Sequence, residues 1–250
     1  MILDLRWLLP AGLLLGVNFP SLASAQVPAA DVLLPGNQKI QDRAAKEPSL
    51  VYLTDFEEGL DDWELVDAGW KIQLRDQSNV FSQFRKESNY IPKFRSPFHQ
   101  AILRDRIVGD FQLDVRVLST HVDYNHRDAC VFFGYQSPTE FYYLHLGKVT
   151  DQHANQIFIV NNADRTKISL TTTEGTPWDD QWHRVRIVRK IDSGEIQVFF
   201  DDLEKPAMTA VDQTFVSGRT GLGSFDDTAD WDDFKLRGVV VQAAKTVHGS

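Results

Sequence analysis

From Phe111 to Val117 the side chains alternate without a break: Phe111, Leu113, Val115 and Val117 are apolar, and Gln112, Asp114 and Arg116 lie between them. A period of two puts one row of side chains on each face of an extended strand, so this segment reads as a half-buried β-strand. The run 182–189 repeats the pattern, with Trp182, Arg184, Arg186 and Val188 on one face and His183, Val185, Ile187 and Arg189 on the other. Helical periodicity of useful length, heptads and 20–50-residue repeats are all missing from the sequence. Further strand-like runs lie at 50–56, 63–66, 70–74, 80–84, 101–103, 129–135, 141–146, 156–160, 167–170, 196–200, 220–225 and 231–236, punctuated by Gly, Asp, Asn and Pro. Short strands at this spacing predict an all-β fold, a two-sheet antiparallel jelly-roll sandwich.

The first 25 residues belong to another process. Arg6 and the terminal amine flank an apolar run over 7–17, and Ala23-Ser24-Ala25 supplies small residues for cleavage before Gln26. That is the pattern of a secretory signal peptide, although Asp4 dilutes its positive start. The run falls short of the ~20 apolar residues that span a bilayer, and no later segment is a transmembrane candidate. The mature chain is expected to be secreted or periplasmic. A leader or linker over 26–48, one sandwich domain over 49–238 and a tail over 239–250 complete the expected organisation. A net charge of −9 argues against nucleic acid as a partner. Cys130 is the sole cysteine, so no internal disulfide forms, and its apolar run Ala129-Cys130-Val131-Phe132-Phe133 suits a buried structural thiol.

The densest concentration of chemically able side chains lies between His121 and Gln156. Two strand candidates, 129–135 and 141–146, are joined there by Gln136-Ser137-Pro138-Thr139-Glu140, with His121, His126, His145 and His153 around them. On the second strand Tyr142, Leu144 and Leu146 share the face expected to enter the core, while Phe141, Tyr143 and His145 are expected to look out over the sheet. Sugar recognition uses aromatic faces against C–H groups and planar polar groups against hydroxyls. Tyr124, His126, Arg127, Tyr143, His145, Asn155 and Gln156 supply that chemistry, and Trp178 reads either as a stacking platform on a loop or as a loop anchor. If the same surface cleaves a glycan, Arg127 would neutralise charge while Tyr143 and His145 move protons. A polar outer face without a ligand is the competing reading.

Several segments together resemble the concanavalin A-like lectin/glucanase superfamily. They are Thr54-Asp55-Phe56-Glu57-Glu58-Gly59, Gly109–Val115, Phe133-Gly134-Tyr135 with Phe141-Tyr142-Tyr143-Leu144, Trp182–Ile187, Gly194–Asp201, and Gly221–Phe225 through Trp231-Asp232-Asp233-Phe234. More narrowly, they are similar to LamG-like and 3-keto-disaccharide-hydrolase-type jelly rolls of exported bacterial proteins. The resemblance implies an architecture and leaves three functions open: a carbohydrate-binding domain, a polysaccharide lyase or glycoside hydrolase, or a structural or adhesive envelope module. The Glu-x-Asp-x-x-Glu strand motif of retaining glucanases in this superfamily is absent, which argues against that mechanism. Many relatives carry a structural calcium near the pairing of first and last strands. Two acidic clusters, Asp55/Glu57/Glu58 and Asp226/Asp227/Asp230/Asp232/Asp233, read either as such a site, with Glu57 and Asp233 as ligands, or as charged turns that keep a sheet edge soluble. Zinc is not expected near His121, Asp123 and His126, and without a phosphate-cradling glycine loop no organic cofactor is expected.

Overall fold

A computed structural model describes residues 48–241; the expected signal peptide, most of the leader and most of the tail lie outside them. Every regular element among the described residues is a strand. They are β1 (Ser49–Thr54), β2 (Trp63–Leu65), β3 (Trp70–Arg75), β4 (Ser78–Gln83), β5 (His99–Leu103), β6 (Val108–Ser119), β7 (Cys130–Ser137) and β8 (Glu140–His145). Then follow β9 (Gln156–Asn161), β10 (Thr166–Lys167), β11 (Ser169–Thr172), β12 (His183–Lys190), β13 (Glu195–Phe200), β14 (Met208–Val211), β15 (Arg219–Ser224) and β16 (Ala229–Val240). Two antiparallel sheets form from them. The larger runs β11-β14-β13-β12-β6-β16-β4-β3, with β1 also on β16, and the smaller runs β10-β9-β8-β7-β15-β5-β2.

The alternations read from the sequence face as expected. Leu113, Val115 and Val117 of β6, Val185 and Ile187 of β12, and Phe234 and Leu236 of β16 meet Val131, Phe133, Tyr142, Leu144 and Leu146 from the smaller sheet. Burial of these side chains, each stabilising by about 1.5–3 kcal/mol, is what holds the sheets face to face. β16 pairs β6 along one side; along the other it pairs first β4, then β1, and the register shifts after Asp232 where the partner changes.

Two segments differ from expectation. The run 167–170 is a corner: β10 pairs β9 in the smaller sheet, β11 pairs β14 in the larger one, and Ile168 turns between them with its N–H on the Ile157 carbonyl. Strands that switch sheets are how sandwiches make corners. β14 is an addition; four residues give too short an alternation to register, yet Met208 and Ala210 are buried against β13.

Candidate functional site

The hairpin β7–β8 is buried on both faces. Phe141, Tyr143, Cys130, Phe132, Tyr135, Phe158, Val160 and Phe225 form a second apolar cluster on the outer side of the smaller sheet. Phe94 and Phe98 pack onto it from the proline-broken segment before β5. Gly223 of β15 fits beneath this layer because a Cβ there would lie 2.5 Å from the Phe132 ring and 2.2 Å from the His99 carbonyl oxygen. The expected facing of β8 is correct, but the expected open sheet is not. Tyr143 is 0% exposed, stacked on Phe158 with centroids 5.1 Å apart, and its hydroxyl receives Arg165 at 3.0 Å. Its ring therefore has no free face for a sugar. Burial also pushes the phenol well above its ordinary pKa, and the sealed hydroxyl is out of reach of a ligand. The Cys130 thiol, as expected, is buried and structural, and burial pushes it up as well.

Where this aromatic layer stops, a cavity of about 680 Å³ opens. Phe98 and Phe225 give it an aromatic floor, and His145 with Asp128 lies beside them. Arg95, Arg165, Tyr124, His126, Asp151, His153, Asp164 and Asp226 form the walls. Both arginines lie over the Phe225 ring, with guanidinium carbons 5.5 Å and 4.6 Å from its centroid, and Asp164 ties the Arg95 backbone N–H at 2.8 Å.

The base of the cavity is a closed polar network. Ser224 donates to Asp128 Oδ1 at 2.7 Å, Asp227 N–H donates to Ser224 at 2.9 Å, and Asp128 N–H returns to Asp227 Oδ2 at 2.8 Å. Tyr124 donates its hydroxyl proton to Asp227 Oδ1 at 2.8 Å. Burial, and then the charge of Asp128, push the Asp227 carboxyl up to about 6. His145 has both ring nitrogens committed. Nδ1 lies 2.9 Å from the His153 carbonyl oxygen, which can only accept, and Nε2 lies 2.6 Å from Asp128 Oδ2. Both ring nitrogens are taken up by these partners, leaving neither free for base chemistry. His145 braces the floor.

Of the residues singled out from the sequence, Tyr124, His126 and His145 meet at this cavity, together with Asp128, Asp151 and His153 from the same stretch. The others serve the frame. Arg127 is 1% exposed and points elsewhere, donating to Ser119 Oγ and O at 2.7 Å each and to the Asp179 carbonyl at 3.1 Å. Arg127, Tyr143 and His145 thus do not converge on a common point of attack. Asn155 is buried with φ of 53°, and its amide fastens Thr150 and Thr172 while its oxygen receives Thr176. Gln156 holds the Asp151 carbonyl at 2.9 Å and so shapes the loop that forms one wall. Trp178 is the anchor of its two readings: it is buried, donates to the Leu146 carbonyl at 3.0 Å and packs edge-on against Phe200.

The first and last strands do pair, with Thr54 opposite Phe234. The carboxylates nearby are nonetheless matched to other groups. Glu57 receives Ser78 and the Asn79 N–H at 2.8 Å, Asp230 pairs with Arg75, and Asp232 takes Arg116 at 2.5 Å. Asp233 Oδ2 lies 2.7 Å from the same guanidinium, out of hydrogen-bonding alignment. Calcium asks for six to eight oxygens turned inward on one point. Among the described residues Glu57 and Asp233 join no such group, and their surroundings do not fit the ion.

Arg95, Arg165, Phe225 and Asp128 are not singled out by the sequence, and Asp227 reads there as part of an acidic cluster rather than of this cavity. A signal for them existed: Phe94 and Phe98 interrupt an otherwise basic loop, and two unbroken apolar strands need a cover.

No family model matches the chain, and no curated protein matches its sequence. Solved structures do resemble it. Carbohydrate-binding module CBM66 from Bacillus subtilis is 17% identical, with 72% of this chain and 97% of that one covered at a TM-score of 0.51. Domain 4 of AbnA, a GH43 extracellular arabinanase from Geobacillus stearothermophilus, is 9% identical over 79% and 96% at 0.53. Winged bean acidic lectin is 12% identical over 78% and 100% at 0.51. What this chain shares with them at such identities is the fold, a lectin-type antiparallel β-sandwich.

Proposed function

We propose that this is an exported carbohydrate-recognition domain that holds a glycan in the cavity between Tyr124, His153, Arg165 and Phe225. The observation that carries the reading is the composition of that cavity. Aromatic edges lie beside planar charged groups, in a space of about 680 Å³, within the roughly 300–1,000 Å³ of small-molecule sites. Phe98, only partly buried, offers apolar surface to sugar C–H groups, and the buried Phe225 ring carries the two guanidinium planes beside it. Arg95, Arg165, Asp151 and Asp226 offer donors and acceptors to hydroxyls. Three structures sharing the fold support the choice of ligand class: one is a carbohydrate-binding module, one is a domain solved with arabinotriose, and one is a lectin with methyl-α-D-galactose. Binding is favoured over cleavage because His145 has no free nitrogen and Tyr143 is sealed. The expectation of export rests on the Arg6, 7–17 and Ala23-Ser24-Ala25 pattern.

The test is an array of neutral oligosaccharides, including arabinosides and galactosides, probed with the full chain and followed by calorimetry on each positive. Arg165→Ala and Asp226→Ala, both at the cavity wall, should each weaken binding tenfold or more while leaving the thermal midpoint within a few degrees. Binding that survives both changes would place the ligand elsewhere.

A further inference from the structure

The outer face of the nine-stranded sheet carries charge of the wrong sign for this chain. Its net charge is −9, yet a cavity of about 830 Å³ on that face is walled by Arg184 and Arg186 of β12, Arg116 of β6, and Lys235 and Arg237 of β16. The register explains the grouping. Arg184 stands opposite Arg116, Asp114 lies between Arg186 and Lys235, and Gln112 faces Arg237. With β6 in the middle, two cationic rows run about 10 Å apart, and the charges within each row are about 7 Å apart.

The acids on this face are committed to other groups: Asp114 is held by Arg186 at 2.7 Å, Asp201 takes the Arg184 backbone N–H and the His183 ring at 2.8 Å each, and Asp232 and Asp233 serve Arg116, whose guanidinium carbon also lies 4.9 Å from the centre of the Trp182 ring. Arg184, Lys235 and Arg237 have no ion-pair partner among the described residues. Arg116, opposite Arg184, is balanced by its two carboxylates, so the uncompensated charge of this face lies on Arg184, Lys235 and Arg237, where a bound anion would meet it.

We propose that this face is a second binding site, separate from the sugar cavity, for an acidic polysaccharide bearing carboxylate or sulfate groups. The two rows suit a chain laid along the sheet with charges repeating on both flanks, and Trp182 beside Arg116 offers apolar surface to a ring between them. A polymer is preferred to a small anion because the unpaired cations are spread over two strands rather than gathered on one point.

The test uses the full chain against immobilised polygalacturonate and dextran sulfate, with uncharged dextran as the control. Retention on at least one acidic polymer is expected, falling tenfold or more between 50 and 300 mM salt, as phosphate and carboxylate contacts of this kind do. The triple variant R184S/K235S/R237S should lose at least tenfold while its thermal midpoint and its neutral-oligosaccharide array are unchanged, and the charge-keeping pair R184K/R237K should retain most of the binding. The two polymers separate carboxylate from sulfate. Absence of wild-type retention on both, or equal retention by the triple variant, overturns the proposal. Binding to a DNA duplex of equal strength also overturns it, since the face would then be a generic anion surface rather than a glycan site.

Discussion

The two outer faces of this sandwich are built on opposite rules. Over the seven-stranded sheet, Phe132, Phe141 and Tyr143 point away from the core and are sealed by Phe94, Phe98 and Phe225. Over the nine-stranded sheet, Arg116, Arg184, Arg186, Lys235 and Arg237 point away from the core and stay wet. The sealed face can hold a preformed cavity at its rim, because its aromatic layer fixes Phe225 and His145 from beneath. The open face has no such layer, and what it presents is charge. One sandwich thus carries a shaped cavity over a packed aromatic layer on one side and a charged plain on the other.

The sharpest way to break this contrast is to truncate one ring. Tyr143→Ala should cost about 3–5 kcal/mol, the usual range for emptying a buried aromatic site, and should read out as a fall in the denaturant midpoint. Arg184→Ala, equally far from the inter-sheet core but on the wet face, should stay within about 0.5 kcal/mol. If the two changes cost the same, the aromatic lid is not the structural layer described above. Next in size comes Arg127→Ala, at about 3 kcal/mol, because the Ser119 and Asp179 carbonyls lose a buried cationic donor. Equilibrium unfolding in urea would measure it. A destabilisation below 1 kcal/mol would mean that water replaces the guanidinium.

This contrast also explains what could be read from the chain. On β6 the alternation is clean over 111–117, and on β12 Val185 and Ile187 mark the core face although Arg189 shares it, so Arg116, Arg184 and Arg186 could be placed on the face opposite the core. On β7 and β8 the runs Cys130-Val131-Phe132-Phe133 and Phe141-Tyr142-Tyr143-Leu144 have no polar face at all. Unbroken apolar runs mark strands covered on both sides, so reading Tyr143 as a solvent-facing ring gave too much weight to its hydroxyl. The location of the cavity was legible, since Tyr124, His126, Asp128 and His145 belong to one short stretch. Its far wall was not. Arg95 and Arg165 are 70 residues apart and meet over Phe225 through packing that no local pattern encodes. Arg127 and Asn155 carry a related lesson: polar residues beside a site are often the ones that satisfy the loops around it.

A smaller effect is read in pH, beneath the cavity. Asp227 lies beneath the cavity with its carboxyl pushed up to about 6 from an ordinary 3.8, first by burial and then by Asp128, with His121 Nε2 3.5 Å away on the opposing side. The folded state therefore holds this proton more tightly than the unfolded state does. The associated stability is full below about pH 4 and is lost as pH climbs through 6. Asp227→Asn keeps an oxygen for the Asp128 N–H and presents its amide to the Tyr124 hydroxyl, so it should mimic the protonated form. Across pH 4–7 the stability of the variant relative to wild type should rise, and a flat difference would mean that Asp227 titrates normally.

The smallest expected effect concerns calcium. Asp230 and Asp232 already balance Arg75 and Arg116, and Glu57 ties down the turn between β3 and β4 through Ser78 and Asn79. Gathering these oxygens around an ion would free two arginines and unfasten that turn. Millimolar calcium or an excess of chelator should therefore move the thermal midpoint by less than about 1 °C, where a ligand at a hundred times its Kd would add about 2.7 kcal/mol. A clear calcium-dependent rise that Glu57→Gln or Asp233→Asn abolishes would show that the acidic junction of β1 and β16 rearranges to take the ion. The arginine pairs would then be the apo state of a metal site, and the wet face would owe part of its charge to whether calcium is bound.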